Sequence, residues 1–95
     1  MRESFIEEKL TKAVKQNGGV CWKFTSPGTD GVPDRIVLMP GGKIAFVEVK
    51  APGKKLRALQ IRRKRQLERV GFSVYCLDSL EQICPILDEV GGETL

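Results

Sequence analysis

The chain has 95 residues, of which 41% are hydrophobic and 29% charged, a composition that predicts one small globular domain spanning residues 1–95. It contains no histidine, which excludes catalytic schemes and zinc sites built on an imidazole. The three cysteines, Cys21, Cys76 and Cys84, are far apart and form no CxxC pair. This spacing argues against a disulfide framework and against a zinc site.

Two features of the sequence predict the compartment. The first ten residues, MRESFIEEKL, are charged from residue 2 onward, which does not fit a secretory signal. No apolar run approaches the roughly 18 residues that a membrane-spanning helix needs. We therefore expect a protein of the reducing cytoplasm with no membrane partner.

The net charge of +4 hides a strong segregation along the chain. Residues 50–69 carry nine basic side chains and one acidic side chain, whereas residues 70–95 carry five acidic side chains and no basic one. A concentrated basic stretch of this kind predicts a surface that faces a polyanion, most often a nucleic acid. A well-solvated basic helix explains the same composition.

The first half of the chain predicts one helix and three strands. The spacing of Ile6, Leu10 and Val14 predicts an amphipathic helix over residues 3–16, with Glu3 and Glu7 on the same stripe. β-Forming residues, glycines and prolines then predict a strand over 20–25, a loop over 26–33, a strand over 34–39, a hairpin turn at 40–42 and a strand over 43–50.

The second half alternates helix and strand. We expect a basic helix over residues 56–70, a strand over 72–77, and a last helix that begins at Ser79 with Gln82 as its capping partner and that Pro85 kinks or shortens. A helix that joins two strands favours a parallel crossover. The sequence therefore predicts an α/β fold of order α-β-β-β-α-β-α with helices on both faces of a mixed sheet. The aromatic residues of the strands are expected in the core: Trp22, Phe24, Phe46, Phe72 and Tyr75.

Two carboxylates are predicted to meet on neighbouring strands. If the hairpin places Met39 opposite Lys43, then Asp34 lies opposite Glu48, with their Cβ atoms about 5 Å apart. Carboxylates at that distance repel one another unless a cation lies between them, and oxygen ligands suit Mg²⁺ or Mn²⁺. Lys50, on the same face as Glu48, can hold a water molecule or a phosphate oxygen, so the set predicts metal-assisted phosphodiester hydrolysis. Alternatively, Asp34 caps a turn while Glu48 and Lys50 form a surface ion pair.

Three strings of residues carry a resemblance to a known family. They are Gly31-Val32-Pro33-Asp34-Arg35, then FVEVKAPGKK over residues 46–55, then Gln60. Together they resemble the VRR-NUC domain of the PD-(D/E)xK nuclease superfamily, from the first helix to about residue 80. The resemblance implies a restriction-endonuclease-like core and an Mg²⁺- or Mn²⁺-dependent DNA endonuclease. Small stand-alone members of phages and bacteria are similar to Holliday-junction resolvases, which implies branched DNA, a homodimer, and the cytoplasm of a bacterial or phage-infected cell.

The resemblance also implies roles for individual residues. Asp34 and Glu48 would be metal ligands, the backbone carbonyl of Val49 would be a third, and Lys50 would position the attacking water. The spacing of Leu56, Gln60, Arg63 and Leu67 predicts a stripe of the basic helix that faces the sheet, with Leu59 and Val70 beside it, and this spacing alone favours Gln60 as a half-buried spacer. The resemblance instead implies that Gln60 orients water or phosphate through its amide. Glu7 is the best match for a metal-ligating glutamate of the first helix. Glu3 and Glu8 remain alternatives, as does an ordinary first-turn glutamate favoured by the helix dipole.

Several residues are candidates for binding nucleic acid. Arg62, Arg65 and Arg69 lie on one face of the basic helix and suit phosphate contacts with little sequence readout. The other candidates are Lys23, Ser26 of the small-residue loop, Arg35, Lys54, Lys55 and Arg57. Two different functions also fit parts of the pattern: a non-catalytic nucleic-acid-binding module that retains the nuclease fold, and a structural protein of a ribonucleoprotein.

Overall fold

The computed structural model describes residues 1–91; the end of the predicted domain, residues 92–95, lies outside the described part. The elements are α1 (Glu3–Gln16), β1 (Val20–Lys23), β2 (Arg35–Met39), β3 (Lys43–Val49), α2 (Ala58–Arg69), β4 (Ser73–Leu77), a 3₁₀ turn (Leu80–Gln82) and α3 (Ile83–Gly91). The strands form one mixed sheet in the order β1-β2-β3-β4. The predicted α/β class and element order are confirmed. No helix of the described residues is long and apolar enough to cross a membrane.

The strand register agrees with the sequence pattern. β2 and β3 are antiparallel, and Met39 pairs with Lys43 as predicted. β1 is antiparallel to β2, and β4 runs parallel to β3 with Glu48 opposite Cys76. The helix α2 is therefore the crossover between the two parallel strands.

The two faces of the sheet are covered unequally. The inner face packs against α3 and against α1, whose Ile6, Leu10 and Val14 are fully buried, and this layer is the hydrophobic core. The outer face packs against α2, which has no buried residue. The predicted inward stripe is half-buried; it consists of Gln60, Arg63 and Leu67 in α2 and of Leu56 just before it. Helices thus lie on both faces, but only those of the inner layer contribute buried residues.

Some expected boundaries and positions differ from the structure. The first strand ends at Lys23 rather than residue 25, and the basic helix begins at Ala58 rather than residue 56. The chain after Ser79 first makes a 3₁₀ turn, in which the Gln82 side chain accepts a hydrogen bond from the Ser79 amide at 3.2 Å. Pro85 is the third residue of α3, where a backbone amide has no acceptor within the helix, so a proline is tolerated there.

The expectation that Trp22 and Phe72 belong to the core is wrong. One row of the outer face runs from Val74 through Phe46 and Ile36 to Trp22. The exposed fraction is 7% at Val74 and 6% at Phe46 but 63% at Trp22, because α2 packs on β4 and leaves β1 uncovered. Phe72, the residue just before β4, is also exposed. Leu59 and Val70, predicted to lie beside the inward stripe, are exposed as well.

Gly19, at the junction of α1 and β1, leaves no room for a side chain. A Cβ atom there would lie 2.6 Å from the Leu38 carbonyl oxygen and 3.0 Å from Val14 Cγ1. We predict that Gly19→Ala lowers the free energy of unfolding by about 1–3 kcal/mol, the usual cost of overpacking. Urea denaturation measures it. Gly91→Ala, with no heavy atom within 4 Å of its Cβ, is the matched control and should not destabilise the protein. Equal midpoints for the two variants would contradict the prediction.

Candidate active site

Asp34 and Glu48 lie next to each other on the outer face. Continuing the register of β2 and β3 by one residue sets Asp34 opposite Glu48. The backbone N–H of Val49 donates a hydrogen bond to Asp34 Oδ2 at 3.0 Å, which orients this carboxylate toward β3. The N–H of Phe24 donates to the Asp34 carbonyl at 2.8 Å and extends the pairing of β1 with β2. The strand ends thus bring the two acidic side chains together, as the alternation of the sequence predicts.

The two oxygens of the Glu48 carboxylate have different surroundings. Oε2 accepts a hydrogen bond from Gln60 Nε2 at 2.6 Å and lies 3.5 Å from Lys50 Nζ. Oε1 is buried and, within the described residues, has no hydrogen-bond partner. Glu48 and Lys50 are only 4% and 8% exposed, so the alternative of a surface ion pair is wrong. A buried carboxylate oxygen without a partner is unfavourable and therefore fits a site completed by a cation.

The electrostatics of the site also favour a cation. Burial raises the pKa of Glu48 to about 7, and the charge of Asp34 adds to this increase, while Lys50 opposes it. The charge of Glu3, at the start of α1, raises the pKa slightly further. A divalent cation between Asp34 and Glu48 would remove the repulsion and supply a partner for Glu48 Oε1.

The carboxylate set is limited to these two side chains. Among residues 1–91, no three histidine, cysteine, aspartate or glutamate side chains are close enough to hold one metal ion. A cation would therefore complete its coordination with backbone carbonyls and water, as Mg²⁺ usually does. The Val49 carbonyl as a third ligand stays a prediction.

Gln60 uses both ends of its side-chain amide. Its Nε2 donates to Glu48, and its Oε1 accepts a hydrogen bond from the Arg57 backbone N–H at 2.8 Å. Gln60 therefore fixes Glu48 against the first turn of α2. The spacer alternative and the orientation of water or phosphate both stay predictions.

Glu7 is in a different environment from Asp34 and Glu48. Its Oε2 accepts a hydrogen bond from Arg35 Nε at 2.6 Å and lies 3.1 Å from Lys23 Nζ. Burial alone would raise the pKa of Glu7, but hydrogen bonds from Arg35 and Lys23 outweigh it and hold the pKa below its usual value. Glu7 as a metal ligand stays a prediction. Of the two alternatives, Glu3 is near enough for its charge to raise the pKa of Glu48, and Glu8 is exposed.

The predicted nucleic-acid contacts fall into two groups. Arg62, Arg65 and Arg69 line a groove along the outside of α2, and the exposed Lys54, Lys55 and Arg57 precede it in the chain. Arg35 is mostly buried and bound to Glu7 and to the Cys21 carbonyl, whereas the Lys23 side chain is 64% exposed. Ser26 is half-buried, and its carbonyl accepts a hydrogen bond from the Thr29 N–H at 3.0 Å.

One polar contact near the site was missed by sequence reasoning. Arg63 Nε donates to the carbonyl of Asp30 at 2.7 Å, which ties α2 to the loop before Asp34. The available signal was the position of Arg63 on the inward stripe with Gln60, where a charged side chain needs a partner.

Similarity to known proteins shows the family of the chain. A model of the VRR-NUC domain matches residues 2–80. The chain belongs to the VRR-NUC domain family. A protein of Acyrthosiphon pisum secondary endosymbiont phage 1, named "Putative nuclease p44", is 47% identical over 90 residues, which cover 93% of this chain and 97% of that protein. A solved structure described as "VRR_NUC domain" superposes with a TM-score of 0.85 at 28% identity, covering 90% of this chain and 92% of the other. These VRR-NUC matches support a nuclease function.

The raised pKa of Glu48 predicts a pH-dependent stability without metal. The folded state holds the Glu48 proton more tightly than the unfolded state, where the pKa is 4.5. The resulting stabilisation is complete below pH 4.5 and is lost as the pH rises through about 7. In EDTA, we therefore expect wild type to lose stability between pH 5 and 8 relative to Glu48→Gln, measured by urea denaturation. Glu81→Gln, at an exposed glutamate, is the control and should follow wild type. Parallel profiles for wild type and Glu48→Gln would contradict the assignment.

Proposed function

We propose that this VRR-NUC domain is a metal-dependent endodeoxyribonuclease that hydrolyses phosphodiester bonds in branched DNA, such as four-way junctions or flaps. The observation that carries the proposal is the buried Glu48 carboxylate opposite Asp34, with one oxygen held by Gln60 and the other without a hydrogen-bond partner among the described residues. A module that only binds DNA gains nothing from this unfavourable arrangement. We place its activity in the cytoplasm of a bacterial or phage-infected cell.

Asp34, Glu48 and the Val49 carbonyl are the proposed holders of Mg²⁺ or Mn²⁺. The bound ion would lower the pKa of a coordinated water and neutralise charge that develops on the phosphate. Oxygen ligands and the absence of histidine from the chain match these two metals rather than zinc.

The protein's own side chains prepare the reaction. The ammonium of Lys50, buried 3.5 Å from Glu48 Oε2, can donate a hydrogen bond to the attacking water or to a phosphate oxygen. The Val49 N–H orients Asp34, and Gln60 orients Glu48, so both carboxylates are held before the substrate arrives.

The basic groove of α2 is the proposed path of the phosphate backbone. Arg62, Arg65 and Arg69 present three cations along one helix face, and Lys54, Lys55 and Arg57 extend the charge toward its N-terminus. Such contacts position DNA without reading its bases, which favours selection of DNA structure over sequence.

A single gel experiment tests the catalytic proposal. Linear, flapped and four-way DNA are incubated with the protein in Mg²⁺, Mn²⁺ or EDTA, and we expect cleavage of the branched substrates in either metal and none in EDTA. Asp34→Asn, Glu48→Gln and Lys50→Met should each lower the rate at least about a hundredfold, the usual contribution of such groups. Gln60→Ala should cost about 10–100-fold, because it removes a partner of a metal ligand.

The outcomes separate the candidate functions. Binding of branched DNA without cleavage in any metal would favour the non-catalytic module. Full activity of Asp34→Asn or Glu48→Gln would remove that residue from the mechanism. Glu81→Gln, which changes an exposed glutamate in the same way, should retain wild-type activity.

We also propose that the protein is a homodimer whose two copies meet through the uncovered part of the outer sheet face. Val20 and Trp22 of β1 and Ile44 of β3 are exposed there, and Leu38 of the intervening β2 is half-buried between Val20 and Ile44. A contiguous apolar patch of this kind is typical of an interface, and a two-fold dimer supplies two sites for two cuts in a branched substrate.

Trp22 is the only tryptophan of the chain, so its fluorescence reports directly on this face. We expect its emission to shift to shorter wavelength with increasing protein concentration, in parallel with dimer formation by sedimentation equilibrium. Trp22→Ser should be monomeric at concentrations where wild type is dimeric. Phe5→Ser, at an exposed residue of α1, is the control and should still dimerise. A wild-type monomer at every concentration would contradict the dimer.

A further inference from the structure

The segment between β1 and β2, residues 25–33 and here called the β1–β2 loop, leads directly into the Asp34 carboxylate. The Phe24 N–H and the Asp34 carbonyl, 2.8 Å apart, join the two ends of the loop. Pro33, the residue before Asp34, is buried. The path of this loop therefore fixes the position of Asp34, the residue just before β2, relative to Glu48.

Two contacts fasten the loop to α2. Arg63 Nε donates a hydrogen bond to the Asp30 carbonyl at 2.7 Å. Among the described residues outside the loop, Arg63 is the one whose side chain forms a hydrogen bond with it. At Gly31, with φ of +87°, a Cβ atom would lie 2.8 Å from Leu59 Cγ and 3.0 Å from the Leu59 carbonyl oxygen. The loop backbone thus lies directly against the backbone of the helix, where only glycine fits.

The same helix turn supports the other carboxylate. Gln60, which follows Leu59 in α2, donates to Glu48 at 2.6 Å. One turn of α2 therefore contacts both sides of the site. Leu59 and Arg63 contact the loop that leads into Asp34, and Gln60 binds the Glu48 side chain.

Arg63 is placed differently from the arginines of the groove. Its Nε and Nη1 donate to the Asp30 carbonyl and to Gln66 Oε1, at 2.7 and 2.9 Å, and it is half-buried. Arg62 and Arg65 are exposed on the outside of the helix. Arg63 thus uses two of its donors within the protein, whereas Arg62 and Arg65 face solvent along the groove.

We propose that Arg63 is a positioning residue of the metal site: by holding the Asp30 carbonyl it keeps Asp34 in reach of the cation that Glu48 also binds. This inference rests on the proposed metal-dependent function. It assigns adjacent arginines of α2 to separate tasks, with Arg63 ordering the metal ligands and Arg62 binding the substrate backbone.

Mn²⁺ binding without nucleic acid tests the proposal independently of cleavage. The free Mn²⁺ signal in electron paramagnetic resonance gives the affinity of wild type, Arg63→Met and Arg62→Met, two variants that lose the same charge. We expect about three- to tenfold weaker Mn²⁺ binding for Arg63→Met, less than the 10–100-fold typical for a direct partner of a metal ligand, because Arg63 acts on Asp34 through the loop. Arg62→Met should bind Mn²⁺ as wild type does but retain DNA less well in EDTA.

Asp30→Ala sharpens the test, because Arg63 binds the backbone carbonyl of this residue and not its carboxylate. It should leave Mn²⁺ affinity unchanged. Unchanged affinity in Arg63→Met overturns the proposal while the nuclease function stands, and equal weakening in Arg62→Met would show a simple effect of net charge and also overturn it.

Hydrogen exchange in the metal-free protein provides a readout that does not depend on the metal. The backbone amides of Thr29 and Phe24, which donate to the Ser26 and Asp34 carbonyls, should exchange faster in Arg63→Met than in wild type or Arg62→Met, and unchanged exchange overturns the proposal. If wild type binds no Mn²⁺ while exchange still responds to Arg63→Met, the proposed metal-dependent function fails and the loop contact itself stands.

Discussion

A buried carboxylate with one unsatisfied oxygen is the constraint around which this domain is organised. Glu48 lies in a central strand, where burial and the charge of Asp34 both disfavour its ionised form. Gln60 and Lys50 compensate Oε2, and within residues 1–91 Oε1 has no hydrogen-bond partner. Desolvated charge of this kind is retained where a fold accepts lower stability in return for a function.

Both faces of the sheet carry acidic and basic side chains, but in different proportions. On the inner face, Glu7 is neutralised by Arg35 and Lys23 within the protein. On the outer face, the Asp34 and Glu48 carboxylates repel each other, and among the described residues Lys50 is the cation that lies against Glu48. Glu7 therefore has two cationic partners beside α1, whereas the Asp34–Glu48 pair beside α2 keeps an excess of negative charge. That excess is what a divalent cation would neutralise.

The strand alternation was sufficient to predict the β2–β3 register and the meeting of Asp34 with Glu48, because a hairpin with a fixed turn leaves a single register. The environment of Glu7 was not predictable, because its partners Arg35 and Lys23 lie on two strands whose distance from α1 depends on helix packing. Trp22 was misplaced for a related reason: alternation assigns a face to a residue, but the coverage of that face depends on where α2 lies. The contact of Arg63 with a backbone carbonyl leaves no trace in side-chain patterns.

The absence of any fully buried residue in α2 has a consequence for how the domain fails. This helix is fixed to the sheet by partly buried side chains and a few polar contacts, chiefly Gln60 with Glu48 and Arg63 with Asp30. Elements with so little apolar burial are the first to open by local unfolding. Detachment of α2 would remove the arginine groove and free the Glu48 carboxylate from Gln60 in one event, while the Val49 N–H still held Asp34. Mild heat would then disturb the basic surface and the support of Glu48 together, while the inner core of α1, α3 and the sheet stayed folded.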